Sequence, residues 1–153
     1  MSIYGRWLGT VPAAQVYFTA DKAVGGLGTF SISWDAALVN IGGVWDSGAA
    51  SKLTAPITGI YAVSAMANDY TSSTYQSGIY IEKNASGSKL AGTAYGYSVA
   101  RTSTSQTMMY IPPQLIELEA GDYIKIKAEN IVDPVNLSEE ASMASIHYVG
   151  RSS

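Results

Sequence analysis

The 153-residue chain contains no cysteine, which removes disulfide bonds, thiolate zinc centres and cysteine nucleophiles together. Charge is also scarce. Asp, Glu, Lys and Arg supply 14% of the residues, against roughly a quarter in an ordinary globular protein. The nine basic residues form no run, so no phosphate-neutralising surface for nucleic acid is expected. A single histidine, His147, excludes a metal centre built on several imidazoles. No stretch approaches the roughly 18 apolar residues that would cross a bilayer as a helix, and no membrane partner is expected. Met1 to Thr10 lack a basic stretch followed by an unbroken apolar run, so no secretory signal is read there and synthesis in a cytoplasm is expected.

What is present suits strands and turns: 11 tyrosines and 15 glycines, with Ser, Thr and Ala abundant and strong helix formers sparse. Phe30, Ile32 and Trp34 alternate with serines, the period of a half-buried strand. Leu38–Ile41, Val44–Asp46, Lys52–Ala55 and Ile79–Lys83 follow at short spacing, broken by Gly42-Gly43, Pro56 and Gly87. Ile60–Ala67 is apolar or small on both faces and reads as a central strand covered on each side. Met108–Ile111 and Leu115–Leu118 read as two further strands. Tyr123–Glu129 alternates with Ile124, Ile126 and Ala128 inward and Lys125, Lys127 and Glu129 outward. Ala144–Val149 closes the chain, and only Leu137–Ala141 could make a short helical turn. The pattern predicts an all-β sandwich or barrel.

Residues 1–28 read differently. Ile3, Tyr4, Trp7 and Leu8 form one apolar cluster and Val16, Tyr17 and Phe18 a second, followed by Gly25-Gly26-Leu27-Gly28 as a joint. Residues 1–24 are either a first strand or an arm that attaches the domain to a neighbour. The arm is the reading carried forward, with a head domain at 29–150.

Four separated blocks resemble the globular head of complement C1q. Asn40-Ile41-Gly42-Gly43-Val44-Trp45-Asp46, with Lys52 to Ser64, is similar to the family's aromatic-Asp, loop, Phe-x-x-Pro-x-x-Gly-x-Tyr-x-Phe-Ser stretch, Leu53 standing for the phenylalanine. Ile79 to Asn84 resembles Val-x-Leu-x-Lys-Asn, and Leu115 to Ile124 resembles Leu-x-Leu-x-x-Gly-Asp-x-Val. Met143 to Val149 stands where the family has its closing Phe-Ser-Gly-Phe strand, without those phenylalanines. The resemblance implies a ten-stranded jelly-roll sandwich of the tumour-necrosis-factor type that forms a homotrimer. A short, cysteine-free version without a Gly-x-y stalk resembles the jelly-roll modules of bacteriophage head decorations, head fibres and tail tips. It implies a virion structural protein whose partners are itself and a major capsid or tail protein. The alternative is a receptor-binding tip that recognises a host surface glycan or protein.

No catalytic constellation is read. His147 stands on a strand without the partners a triad needs, and Glu139-Glu140 point apart. Asp69, Asp133, Glu139 and Glu140 lack a calcium-loop spacing and read as solvated surface charge. Asn84-Ala85-Ser86 and Asn136-Leu137-Ser138 match a glycosylation sequon but read as turns. No cofactor, no metal and no enzymatic activity are expected. The tyrosine surplus leaves two readings open: Tyr70, Tyr75, Tyr95 and Tyr97 line a subunit interface, or they sit on apical loops and bind a ligand.

Overall fold

The computed structural model describes residues 10–24, 28–69, 77–97, 107–130 and 135–152. Among these, twelve strands occur: β1 Ala13–Tyr17, β2 Lys22–Val24, β3 Gly28–Ser31, β4 Ala36–Ile41, β5 Leu53–Thr54, β6 Gly59–Asp69, β7 Ser77–Lys83, β8 Gly96–Tyr97, β9 Thr107–Leu118, β10 Tyr123–Asn130, β11 Val135–Leu137 and β12 Met143–Gly150. Two 3-10 turns, Ser47–Ala49 and Glu139–Ala141, complete the inventory. The larger sheet runs β2-β11-β6-β12-β1-β4, with β9 along the other side of β6. The smaller runs β3-β10-β7-β8, with β5 also pairing β10. Two antiparallel sheets packed face to face make the sandwich expected.

The core lies between the sheets. Alternation brings Tyr61, Val63, Ala65 and Ala67 of β6 inward, with Met109, Ile111, Ile116 and Leu118 of β9 and Ala144 and Ile146 of β12. The smaller sheet answers with Leu53, Ile79, Ile81, Ile124, Ile126 and Ala128. The inward set expected for β10 is the set observed. Each fully buried Ile or Leu contributes about 1.5–3 kcal/mol over its exposed state.

Three sequence expectations change. Val16, Tyr17 and Phe18 do not belong to an arm, and the head does not begin at residue 29. β1 lies inside the larger sheet, paired to β12 on one side and β4 on the other. Val16 is 0% and Phe18 2% exposed, and Phe18 stacks on Trp34 at 4.9 Å. The physical reason is a period-two pattern with small members: Ala14, Val16 and Phe18 point inward, while Ala13, Gln15 and Tyr17 point outward. Ile3, Tyr4, Trp7 and Leu8, and most of the Gly-rich joint, lie outside the described residues. Second, the two runs read around Pro112-Pro113 are one strand, β9. The prolines sit where the β6–β9 register shifts between Val63 and Ala65, a bulge that tolerates residues without an N–H. Third, Asp69 is not solvated: it is buried at the end of β6 and accepts a hydrogen bond from the Ser77 hydroxyl at 3.1 Å.

Candidate interaction surface

The outward face of the larger sheet can be read row by row from its register. One row runs Ile41, Ala13, His147, Ala62, Leu115 across β4, β1, β12, β6 and β9. The next runs Val39, Gln15, Ser145, Ser64, and ends at the Pro112-Pro113 bulge. A third runs Ala36, Tyr17, Met143, Met66, Tyr110. Ile60 and Glu117 lie beyond the first row, Asn68 and Met108 beyond the last. Ser64 and Ser145 share a hydrogen bond at 2.7 Å, and the Gln15 amide reaches the Met143 sulfur at 3.6 Å. Glu117 and His147 are the charged or chargeable groups on these rows besides the Tyr17 and Tyr110 phenols.

Every large hydrophobic side chain that stands exposed among the described residues belongs to this sheet or its β1 lead-in: Val11, Leu38, Ile41, Met108, Tyr110, Leu115 and Val149. Leu38, in the β1–β4 bulge, and Leu115 are each 70% exposed. A cleft of about 140 Å³ opens between Gln15, Ser64, Met66, Tyr110, Met143 and Ser145. A wider hollow of about 380 Å³ lies at one end, between Tyr17, Leu38 and Met143, with Glu139 and Glu140 at its wall. Exposed large hydrophobics gathered on one sheet are the kind of surface on which contacts form.

The outward face of the smaller sheet is chemically opposite. It carries Thr29 and Ser31, Lys125, Lys127 and Glu129, and Tyr80 and Glu82. Tyr95, named from sequence as a ligand or interface residue, lies here. Its ring stacks on Tyr80 at 5.8 Å and its hydroxyl donates to the Glu129 carboxylate. It covers Gly78 so closely that a Cβ there would come within 2.6 Å of its hydroxyl oxygen. Burial raises the Tyr80 hydroxyl above its ordinary 10.0, a bond with Thr29 opposes this, and Glu129 and Glu82 add to the rise. Glu82 is buried beneath the following turn, taking the Gly87 N–H at 2.8 Å. Tyr97 lies in β8, opposite Gly78; its side chain, with Tyr70 and Tyr75, lies outside the described residues. The structure therefore ties Tyr95 into the fold and does not bring the four tyrosines into one described site.

Two of the motif blocks noticed in the sequence, Ile79 to Asn84 and Leu115 to Ile124, meet at one end of the smaller sheet. The Asp122 carboxylate takes the Lys83 ammonium at 2.8 Å, the Asn84 amide at 2.6 Å and the Glu119 N–H at 2.9 Å. The Asn84 side-chain Oδ1 accepts the Tyr123 N–H at 2.9 Å. Led by the Lys83 contact, these bonds hold Asp122 down at about 2 from its ordinary 3.8. Pro56, Gly59 and Gly121 serve turns and close approach, and this constellation is structural.

His147 has Ala13 and Ala62 as cross-strand neighbours. Among the described residues no three His, Asp or Glu side chains gather closely enough to hold a metal ion. Asp133 lies outside them. Sequence reading missed the open face, because its members are scattered over five strands and include small residues; the register alone assembles them.

No family model matches the chain, and no curated protein matches it. Solved structures do. The globular domain of zebrafish complement 1qA aligns over 94% of this chain and all of that one, with TM-score 0.69 and 9% identity. Murine APRIL at pH 5.0 aligns over 92% of this chain and all of its own, at 0.68 and 13%. Eiger TNF from S. frugiperda aligns over 94% and 95%, at 0.68 and 13%. The fold is a C1q/TNF-like jelly roll. Identities this low carry the fold and nothing further.

Proposed function

We propose that the protein is a non-enzymatic structural module that associates with itself through the sparsely charged face of its larger sheet, as a homotrimer. In the fuller reading it decorates the capsid or forms a head fibre of a bacteriophage virion. One observation carries the self-association: the exposed large hydrophobics gather on this one face while the opposite face is charged and occupied by its own Tyr95. A second copy is the occupant that fits, because the face is nearly free of charge of either sign and so is compatible with itself, and closed cyclic assembly covers it in every copy.

The virion setting is an analogy of fold and composition. A cysteine-free jelly roll with a self-compatible face, and a further apolar cluster at Ile3, Tyr4, Trp7 and Leu8, suits a module cemented to a larger body. Those four residues are the attachment segment in this reading, and a major capsid or tail protein is the partner. Light scattering of the full chain at micromolar concentration is the first test, with a trimer expected and a stable monomer contradicting it. A glycan array and a host-cell adsorption assay form the second. A decoration shows no saturable host binding; saturable binding would instead make the protein a receptor-binding tip.

A further inference from the structure

We infer that His147 makes assembly through this face sensitive to pH: copies associate while the imidazole is neutral and separate when it is protonated. The inference rests on self-association through the face. His147 is the chain's only histidine. It projects outward from β12, which has β6 on one side and β1 on the other, so strands flank it on both sides, in the row where β1 begins and β4 ends. Its row is otherwise Ile41, Ala13, Ala62 and Leu115.

The groups that could support a charge there are few. β1 presents Ala13 and β6 presents Ala62 beside it, and β4 carries no ionisable side chain. Glu117 of β9 lies one row over and two strands away, a lateral separation of about 10 Å. The Tyr17 and Tyr110 phenols lie two rows over. Arg151 follows the end of β12, and Glu139 and Glu140 precede its start. A second copy laid on this face would exclude water from the imidazole, and no carboxylate of its own copy stands next to it on β1 or β6. Burial without a partner disfavours the charged form. Imidazole is the side chain that ordinarily changes charge between about pH 5 and 8, so the effect falls in an accessible range.

The linkage has a definite sign. If each copy must shed a proton when the face closes, association is strongest above the histidine range and weakens as pH falls through it. Each copy contributes up to about a tenfold change in association per pH unit, so three give up to about a thousandfold. The test is sedimentation velocity of the full chain and of His147→Gln at about pH 8 and about pH 5.5, with far-UV circular dichroism to show both folded. The expected result is a wild-type trimer that falls to monomer at the lower pH, and a glutamine variant that stays trimeric at both. A wild type equally trimeric at both pH values, a variant that dissociates in parallel, or association that strengthens on acidification would each overturn the inference while leaving self-association intact. A monomer at both pH values would remove self-association, and this inference with it.

Discussion

At Asp122 a lysine, an asparagine and a backbone N–H converge on one carboxylate, tying the turn after β7 to the turn between β9 and β10. Its depressed pKa, about 2 against 3.8, means that the bonds favour the ionised form. They contribute in full above the ordinary value and are lost as pH falls toward the folded one. Asp122→Asn should cost about 1–2 kcal/mol at neutral pH. Urea titrations across pH should show the gap between wild type and variant closing toward about pH 2; a gap that persists there would mean the charge is not what matters. Gly78 offers a second residue-scale test. It is an ordinary β-strand position, but the Tyr95 ring occupies the space a side chain needs. Gly78→Ala should cost about 1–3 kcal/mol by overpacking, and much of that loss should vanish in a Tyr95→Ala background. A double-mutant cycle in denaturant measures the coupling.

Among the elements, β1 and β9 carry the consequences. β1 supplies Ala14, Val16 and Phe18 to the core and pairs on both edges. Deleting residues 1–24 should therefore abolish cooperative folding, since it removes an interior strand from a domain whose whole stability is of order 5–15 kcal/mol. Deleting residues 1–9 should leave the circular dichroism spectrum and thermal midpoint close to wild type, while removing the proposed attachment segment. β9 shows how a proline pair that looks like a break becomes a bulge. Gln114, just past the pair, donates to both of their carbonyls, at 3.0 and 3.3 Å.

For the whole molecule, the two outward faces differ in chemistry. One is charged and covered in part by Tyr95, while the other carries little charge and, among the described residues, exposes the large hydrophobics. Met66→Lys places a cation in the row Ala36, Tyr17, Met143, Met66, Tyr110, which itself holds no acidic side chain, while Glu139 and Glu140 border the hollow beside Met143. The side chain points outward and the core is untouched, so folding should survive with an unchanged far-UV spectrum. Association should fall by several kcal/mol, because an unpaired charge would be buried. Light scattering at micromolar concentration should then report monomer. A variant that assembles like wild type would move the interface elsewhere.

Much of the fold was legible in the sequence by itself. Strong alternation at Tyr123–Glu129, the apolar run at Ile60–Ala67, and turn residues at Gly42-Gly43, Pro56 and Gly121 are local signals, and local signals report strands directly. The four motif blocks were legible as a jelly roll for the same reason, each being a strand with its turn. The membership of β1 was not, since alanines and a glutamine alternate too weakly to separate a strand from an arm. Only the tertiary structure placed β1 between β12 and β4, joined Lys83 and Asn84 to Asp122, and turned Tyr95 from a free aromatic into a cover for Gly78. The open face belongs to the same class. Its side chains come from five strands between residues 13 and 149, and strand register, a long-range property set by core packing, decides which of them share a surface.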